Sequence, residues 1–187
     1  ARHRIHPGGV PQSPRPRFPL PPASPKTVRV TVLSIRPGDL PTQGRIAAGR
    51  HYLPVRIYFE DTDLTGIVYH ANYLRYMERA RTEMLRLSGV VHSEMMAADT
   101  GYYAVHEMQI TWHRPARIDD ELLVVTHVTK VRAAATCLVH LVMRGDELLC
   151  AATVTAAFLD MAGRPRRQSK LWHDRFTTLM QQADAPQ

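Results

Sequence analysis

Cysteine is scarce in this chain: only Cys137 and Cys150 occur among 187 residues, and both lie in apolar alternating stretches. Two thiols in such settings behave as small hydrophobes, which excludes a disulfide-stapled fold and fits a reducing, cytoplasmic setting. Long apolar runs are missing as well. No stretch approaches the ~18–20 residues of a membrane-spanning helix, and the first residues lack the apolar core of a secretory signal, so no stable membrane insertion is expected. Also missing is any G-x-S-x-G nucleophile elbow, which removes the usual serine-hydrolase arrangement. Proline is rare beyond residue 50 and dense before it, with ten of its fourteen occurrences in residues 1–50.

What is present divides in the same way. Residues 1–50 carry nine Lys or Arg and a single acid, whereas residues 51–187 carry fifteen basic and sixteen acidic side chains. The formal charge of +7 therefore describes the leading segment, and the near-neutral body gives no reason to expect nucleic acid as a partner. Runs such as Pro14-Arg15-Pro16-Arg17 and Pro19-Leu20-Pro21-Pro22 cannot sustain helix or sheet hydrogen bonding. Residues 1–50 are thus expected to be a disordered Pro/Arg-rich extension, and residues 51–187 a single folded domain.

Within that domain the periodicity predicts a first strand over 52–59, a loop over 61–69 and a helix from Ala71 to about Ser88. Tyr73, Met77, Ala80, Met84 and Leu87 form an apolar helical stripe opposite Arg75, Arg79, Glu83 and Arg86, with Gly89 as the stop. Four strands follow, over 102–114, 122–131, 136–144 and 148–159, with a hairpin turn at Arg144-Gly145-Asp146-Glu147. Leu171, Trp172, Phe176, Leu179 and Met180 predict a short outer helix. One strand, a long helix and four strands make an α+β domain in which a curved antiparallel sheet covers a single helix.

The chemistry concentrates between the first strand and the helix. Asp61 and Asp63 flank a turn ending at Gly66, and Tyr69, His70 and Ala71 precede the helix, whose first N–H groups have no partner within it. A carboxylate facing such donors suits hydrolysis of an activated carbonyl. Taken alone, Asp63 could equally be an acidic turn residue or helix cap, His70 a structural histidine, and Gly66 a plain turn glycine.

The run Asp61-Thr62-Asp63-x-x-Gly66-x-Val68-Tyr69-His70-x-x-Tyr73, followed by Glu78-x-x-Arg81, resembles the hot-dog-fold acyl-CoA thioesterases of the 4-hydroxybenzoyl-CoA thioesterase-like superfamily. The nearest branch is the Tol-Pal-associated family. Trp112-His113-Arg114-Pro115-Ala116-Arg117-Ile118-Asp119-Asp120 resembles that family's Y-x-R-P-A-x-x-D-D junction, and Gly163-Arg164-Pro165 its end. The resemblance implies a five-stranded antiparallel sheet wrapped around one long helix, subunits paired through their sheets as a dimer or dimer of dimers, and sites at the dimer interface. It implies hydrolysis of acyl-CoA, or of acyl-carrier-protein thioesters, with no cofactor. Asp63 takes the place of the catalytic aspartate, as general base or nucleophile, and His70 that of the family's histidine. Backbone N–H groups near Tyr69, His70 and Ala71 would polarise the thioester. Gly66, Val68, Tyr69 and Asn72 are expected to contact substrate, Glu78 to do so or to act as a second-choice catalyst, and Arg132 to meet the CoA phosphates. A thiol leaving group with a pKa near ~8.5 departs as thiolate, so one carboxylate suffices.

Three other readings are weaker. A metal site through His106, His113, His127 and His140 lacks ligand spacing. A hot-dog dehydratase needs a histidine paired with a helix acid, a pattern not evident here. A non-catalytic acyl-binding or envelope-complex docking subunit would not need Asp63, Gly66 and His70 together.

Overall fold

The computed structural model describes residues 40–185, so most of the Pro/Arg-rich extension lies outside the described residues. Six strands form one antiparallel sheet in the order β1-β2-β4-β5-β6-β3. They are β1 (Arg45–Ala47), β2 (Arg50–Arg56), β3 (Tyr102–Trp112), β4 (Glu121–Val131), β5 (Ala135–Arg144) and β6 (Glu147–Leu159). Helices α1 (Asn72–Leu87), α2 (His92–Ala97) and α3 (Lys170–Asp184) complete the fold. No helix among the described residues is long and apolar enough to cross a membrane.

The main expectation, a long helix against an antiparallel sheet, is met by α1. Its Tyr73, Tyr76, Met77, Ala80, Met84 and Leu85 are buried, while Leu87, expected on the stripe, is exposed. The helix ends in a Schellman motif: Val90 N–H donates to Leu85 O at 2.8 Å and Gly89 N–H to Arg86 O at 2.9 Å, with Gly89 at φ 74°. Burial alternates with period two along β5 and from Cys150 onward in β6, whereas Val124, Val125 and Thr126 of β4 are buried in succession.

Four features correct the sequence reading. A sixth strand, β1, falls inside the segment expected to be disordered. It pairs with β2 through the two-residue turn Ala48-Gly49, both at positive φ (46° and 69°), the backbone of a type I′ hairpin. The first long strand ends at Arg56 rather than residue 59, and Phe59–Asp61 form a 3-10 turn. Strand β3 carries a bulge between Val105 and Glu107, which breaks the strict alternation expected along it. Finally, α3 is a 15-residue helix rather than a short outer one. Its Phe176 is buried with Met84 and Leu85 of α1 and with Val128, Leu138 and Phe158, so α3 covers the same face of the sheet as α1.

Candidate active site

The loop between β2 and α1 is a tight, hydrogen-bonded excursion. Asp63 N–H donates to Ile67 O at 3.1 Å, Gly66 N–H to Asp63 O at 3.0 Å, and an isolated bridge joins Thr62 to Val68. Gly66 sits at φ 74°, and a Cβ built there would meet nothing within 4 Å. The turn therefore needs glycine for its dihedral, and the space above it is open.

Asp61 braces this loop. Its carboxylate accepts the Tyr58 N–H at 2.8 Å, and its carbonyl accepts the Tyr69 N–H at 2.9 Å and the Asn72 side-chain amide at 2.8 Å. Asn72 is buried and Val68 is a core residue whose N–H donates to Ala116 O at 2.9 Å. The junction that receives Val68 is itself pinned: Tyr73 hydroxyl accepts the Ala116 N–H at 2.9 Å, and Arg144 donates to Asp120 at 2.6 Å and to Glu147 at 2.6 Å. Asp120 in turn accepts the Arg117 N–H at 2.8 Å.

Asp63 stands exposed at the tip. Thr65 donates to its Oδ1 twice, from the backbone N–H at 2.8 Å and from the hydroxyl at 2.5 Å. These bonds favour the ionised form and hold the Asp63 carboxyl below its ordinary range. No donor among the described residues occupies Oδ2. The carboxylate and Gly66 border an open cleft of about 740 Å³ with Phe59, Thr62, Leu64 and Ile118.

His70 faces a second cleft of about 300 Å³, on the other flank of the loop, with Val68, Tyr73, Trp112, His113 and Arg114 among its walls. Its ring meets Tyr69 at 4.4 Å and Trp112 at 5.9 Å between centroids. Helix α1 begins at Asn72, one residue later than expected. Tyr69 N–H, anticipated as an oxyanion donor, is already spent on Asp61 O, and Asn72 N–H on Tyr69 O at 2.8 Å. The N–H groups of His70 and Ala71 have no acceptor among the described residues, which leaves them as the donors at the helix entrance.

Glu78 lines neither cleft; it pairs with Arg81 and accepts the Thr82 hydroxyl at 3.2 Å. Arg132 is at the opposite end of β4 from the Asp63 loop, past Val131, whereas Ile57 N–H reaches Asp120 O beside the start of that strand. One subunit therefore assembles Asp63, Gly66, Val68, Tyr69, His70 and Asn72 around one loop, and leaves Glu78 and Arg132 apart from it. Thr65 and Trp112 were not singled out from the sequence as site residues. An Asp followed two residues later by Thr is itself a turn signal that would have found the first. No group of three or more His, Cys, Asp or Glu among the described residues is arranged to hold a metal ion.

Residues 65–151 match the family model described as the thioesterase superfamily. The chain is 39% identical over 108 residues to the acyl-CoA thioesterase YbgC of Haemophilus influenzae, covering 58% of this chain and 79% of that protein. It is 38% identical over 96 residues to the acyl-CoA thioester hydrolase YbgC of Escherichia coli, covering 51% of this chain and 71% of that one. Among solved structures, a probable thioesterase from Bartonella henselae superposes with a TM-score of 0.62 at 33% identity, over 64% of this chain and 99% of that one. A braced Asp-x-x-Gly loop at the entrance of a sheet-covered helix, in a sequence that aligns with these enzymes over most of their length, places the chain in the hot-dog-fold thioesterase superfamily, in the YbgC acyl-CoA thioesterase family.

Proposed function

We propose that the chain hydrolyses acyl-CoA thioesters to free acid and thiol, with Asp63 as the catalytic carboxylate. The observation that carries this reading is the state of Asp63: an exposed carboxylate kept ionised by Thr65 through one oxygen, with the other oxygen free beside a cleft. Asp63 accepts a proton from water as the water oxygen bonds to the thioester carbon. The resulting oxyanion is met by the N–H groups of His70 and Ala71, where loss of one such donor typically costs about 3 kcal/mol. The C–S bond then breaks, the sulfur leaves as thiolate, and the proton on Asp63 passes to solvent. The His70 side chain orients substrate in its own cleft, with Tyr69 against its ring.

The subunit is proposed to work as a homodimer paired through the free edge of β3. Glu78, which lines neither cleft, is proposed to meet substrate only across such an interface.

Thiol release from a panel of acyl-CoA and acyl-carrier-protein thioesters, by the chain and by Asp63→Ala, tests the activity and its carrier. Turnover of the CoA thioesters that collapses in the variant is expected; equal rates in both proteins would remove Asp63 from the mechanism, and no release from any substrate would favour an acyl-binding subunit. A single turnover in ¹⁸O-labelled water separates the two roles of the carboxylate. Water activation places the label in the product acid alone, whereas label in the Asp63 peptide would mean direct attack by the carboxylate.

A further inference from the structure

Helix α3 carries two stripes. Trp172, Phe176 and Met180 pack on the core cluster beneath it, while Leu171, Arg175 and Thr178 recur at spacings of four and three and line an open groove. The groove has a volume of about 500 Å³ and runs between α3, the end of α1 and β1, with Leu87, Leu179 and Ile46 among its other walls. That volume is within the range of small-molecule sites. Two of its leucines are left uncovered: Leu87, the last member of the α1 stripe, is 40% exposed, and Leu171 is 56% exposed.

A cation stands among these apolar walls. Arg175 donates through Nη1 to Ser88 O at the end of α1, where the helix dipole favours a positive charge. Gly89 makes room for it, since a Cβ built there would overlap the guanidinium. Capping the helix in this way uses one of the five N–H donors of the side chain. No carboxylate among the described residues pairs with Arg175; Asp174, which also lines the groove, is held by Lys170 at 2.6 Å.

Charge and surface together select an occupant. Apolar walls alone would accept any apolar group, but a guanidinium with uncommitted donors calls for an acceptor that presents two oxygens. Asp174 nearby favours a single negative charge over the double charge of a phosphate. A straight-chain carboxylate meets all three conditions, with two oxygens for the fork, one charge, and methylenes for the exposed leucines. Hydrolysis of an acyl thioester releases a molecule of this class.

We propose that the groove between α1 and α3 is a second ligand site, which binds the straight-chain carboxylic acid released by thioester hydrolysis, with its head on Arg175 and its tail against Leu87 and Leu171. The site is separate from the Asp63 loop, because α1, 16 residues and about 24 Å long, starts at that loop and ends at the groove. The inference goes beyond the thioesterase reading and takes from it only the source of the ligand.

Titration calorimetry of the full chain with decanoate, and with decan-1-ol as the same chain without the charge, tests it. Decanoate is expected to bind about tenfold or more tighter than the alcohol, and about fourfold tighter than octanoate. Arg175→Gln brings decanoate down to the affinity of the alcohol. Leu171→Glu, which changes an exposed side chain and leaves the Arg175 contact with α1 in place, weakens decanoate by a similar factor through like-charge repulsion. Hydrogen exchange locates the ligand, with slowing expected around residues 86–90 and in α3, and unchanged in Asp63→Ala. Binding is read without any thioester present, so failure of the Asp63 assignment would leave this result standing. Protection confined to the Asp63 loop, equal affinity for decanoate and decanol, or decanoate binding unaltered by both variants would overturn the proposal. So would absence of binding; if Leu171→Glu then also gave a smaller assembly on a sizing column, the groove would belong to a contact between copies of the chain.

Discussion

Thr65 donates its backbone N–H and its hydroxyl to the same carboxylate oxygen of Asp63, at 2.8 and 2.5 Å. Both bonds stabilise the charged form, so Asp63 stays ionised to lower pH than an ordinary aspartate. Thr65→Val removes the hydroxyl, raises the Asp63 pKa and moves the acid limb of the pH–kcat/KM profile to higher pH. Thr65→Ser keeps the hydroxyl and leaves the limb near its original place. A profile unaltered by Thr65→Val would separate this pair from catalysis.

The Trp112 indole donates to His70 O at 3.3 Å. In a trans peptide the carbonyl and the following N–H point in opposite directions, so anchoring His70 O also aims the Ala71 N–H. Trp112→Phe keeps a ring against His70 and removes only the donor. It is expected to lower kcat about tenfold, a part of the ~3 kcal/mol carried by a complete oxyanion donor, with KM nearly unchanged. Steady-state kinetics decide it, and a change confined to KM would assign Trp112 to substrate binding instead.

His51, Thr126 and His140 stand side by side across β2, β4 and β5, all fully buried. The Thr126 hydroxyl and His140 Nδ1 are 2.9 Å apart, and His51 Nε2 is 2.8 Å from Gln43 O. Burial, aided by the Arg81 charge, pushes the His140 pKa down to about 3. Its folded pKa is below its unfolded value near 6.5, so between those limits the unfolded chain binds the proton and the folded chain does not. Stability is therefore full above about pH 6.5 and falls as the pH drops, by up to about 1.4 kcal/mol per pH unit for such a group. Urea unfolding from pH 7.5 to 5 should show this slope, and His140→Asn, which keeps a polar partner for Thr126, should flatten it.

Gln168 ties four partners together around the β4–β5 turn. Gln168→Leu leaves the Tyr103 hydroxyl and the Arg132 carbonyl without it, at an expected cost of roughly 3 kcal/mol. Denaturant unfolding measures the loss. Less than about 0.5 kcal/mol, the range of ordinary surface changes, would mean that water replaces the side chain.

The parts of the fold that were legible from sequence are those with a strong local period. Helix α1 announced itself by a four-and-three apolar spacing and a glycine stop, and the Asp61-to-Tyr73 run by many residues at fixed offsets. Strand β1 was hidden because three residues carry too little period, and because Ala48 is not a residue one expects at positive φ. The burial of α3 was hidden for another reason: its stripe was visible, but its docking depends on Phe176 meeting α1 and three distant strands. The bulge in β3 likewise follows from pairing with β6 rather than from the local sequence. At the site, the placement of Asp63 and His70 on the loop before α1 was readable, but which N–H groups were free was not. That depended on Asp61 taking the Tyr69 donor through a carbonyl that no side-chain pattern reveals.

The central claim is that the Asp63 carboxylate performs the reaction. Asp63→Asn keeps the size and polarity of the side chain, including an oxygen for Thr65 to bond, and removes the charge and the basic site. The most direct measurement is kcat/KM of this variant on an acyl-CoA at pH 7.5, with folding checked by its thermal melt. A loss of about a thousandfold, within the range of a missing general base, is the predicted result. Activity within about threefold of the unaltered protein, a difference of less than about 1 kcal/mol, would contradict the account.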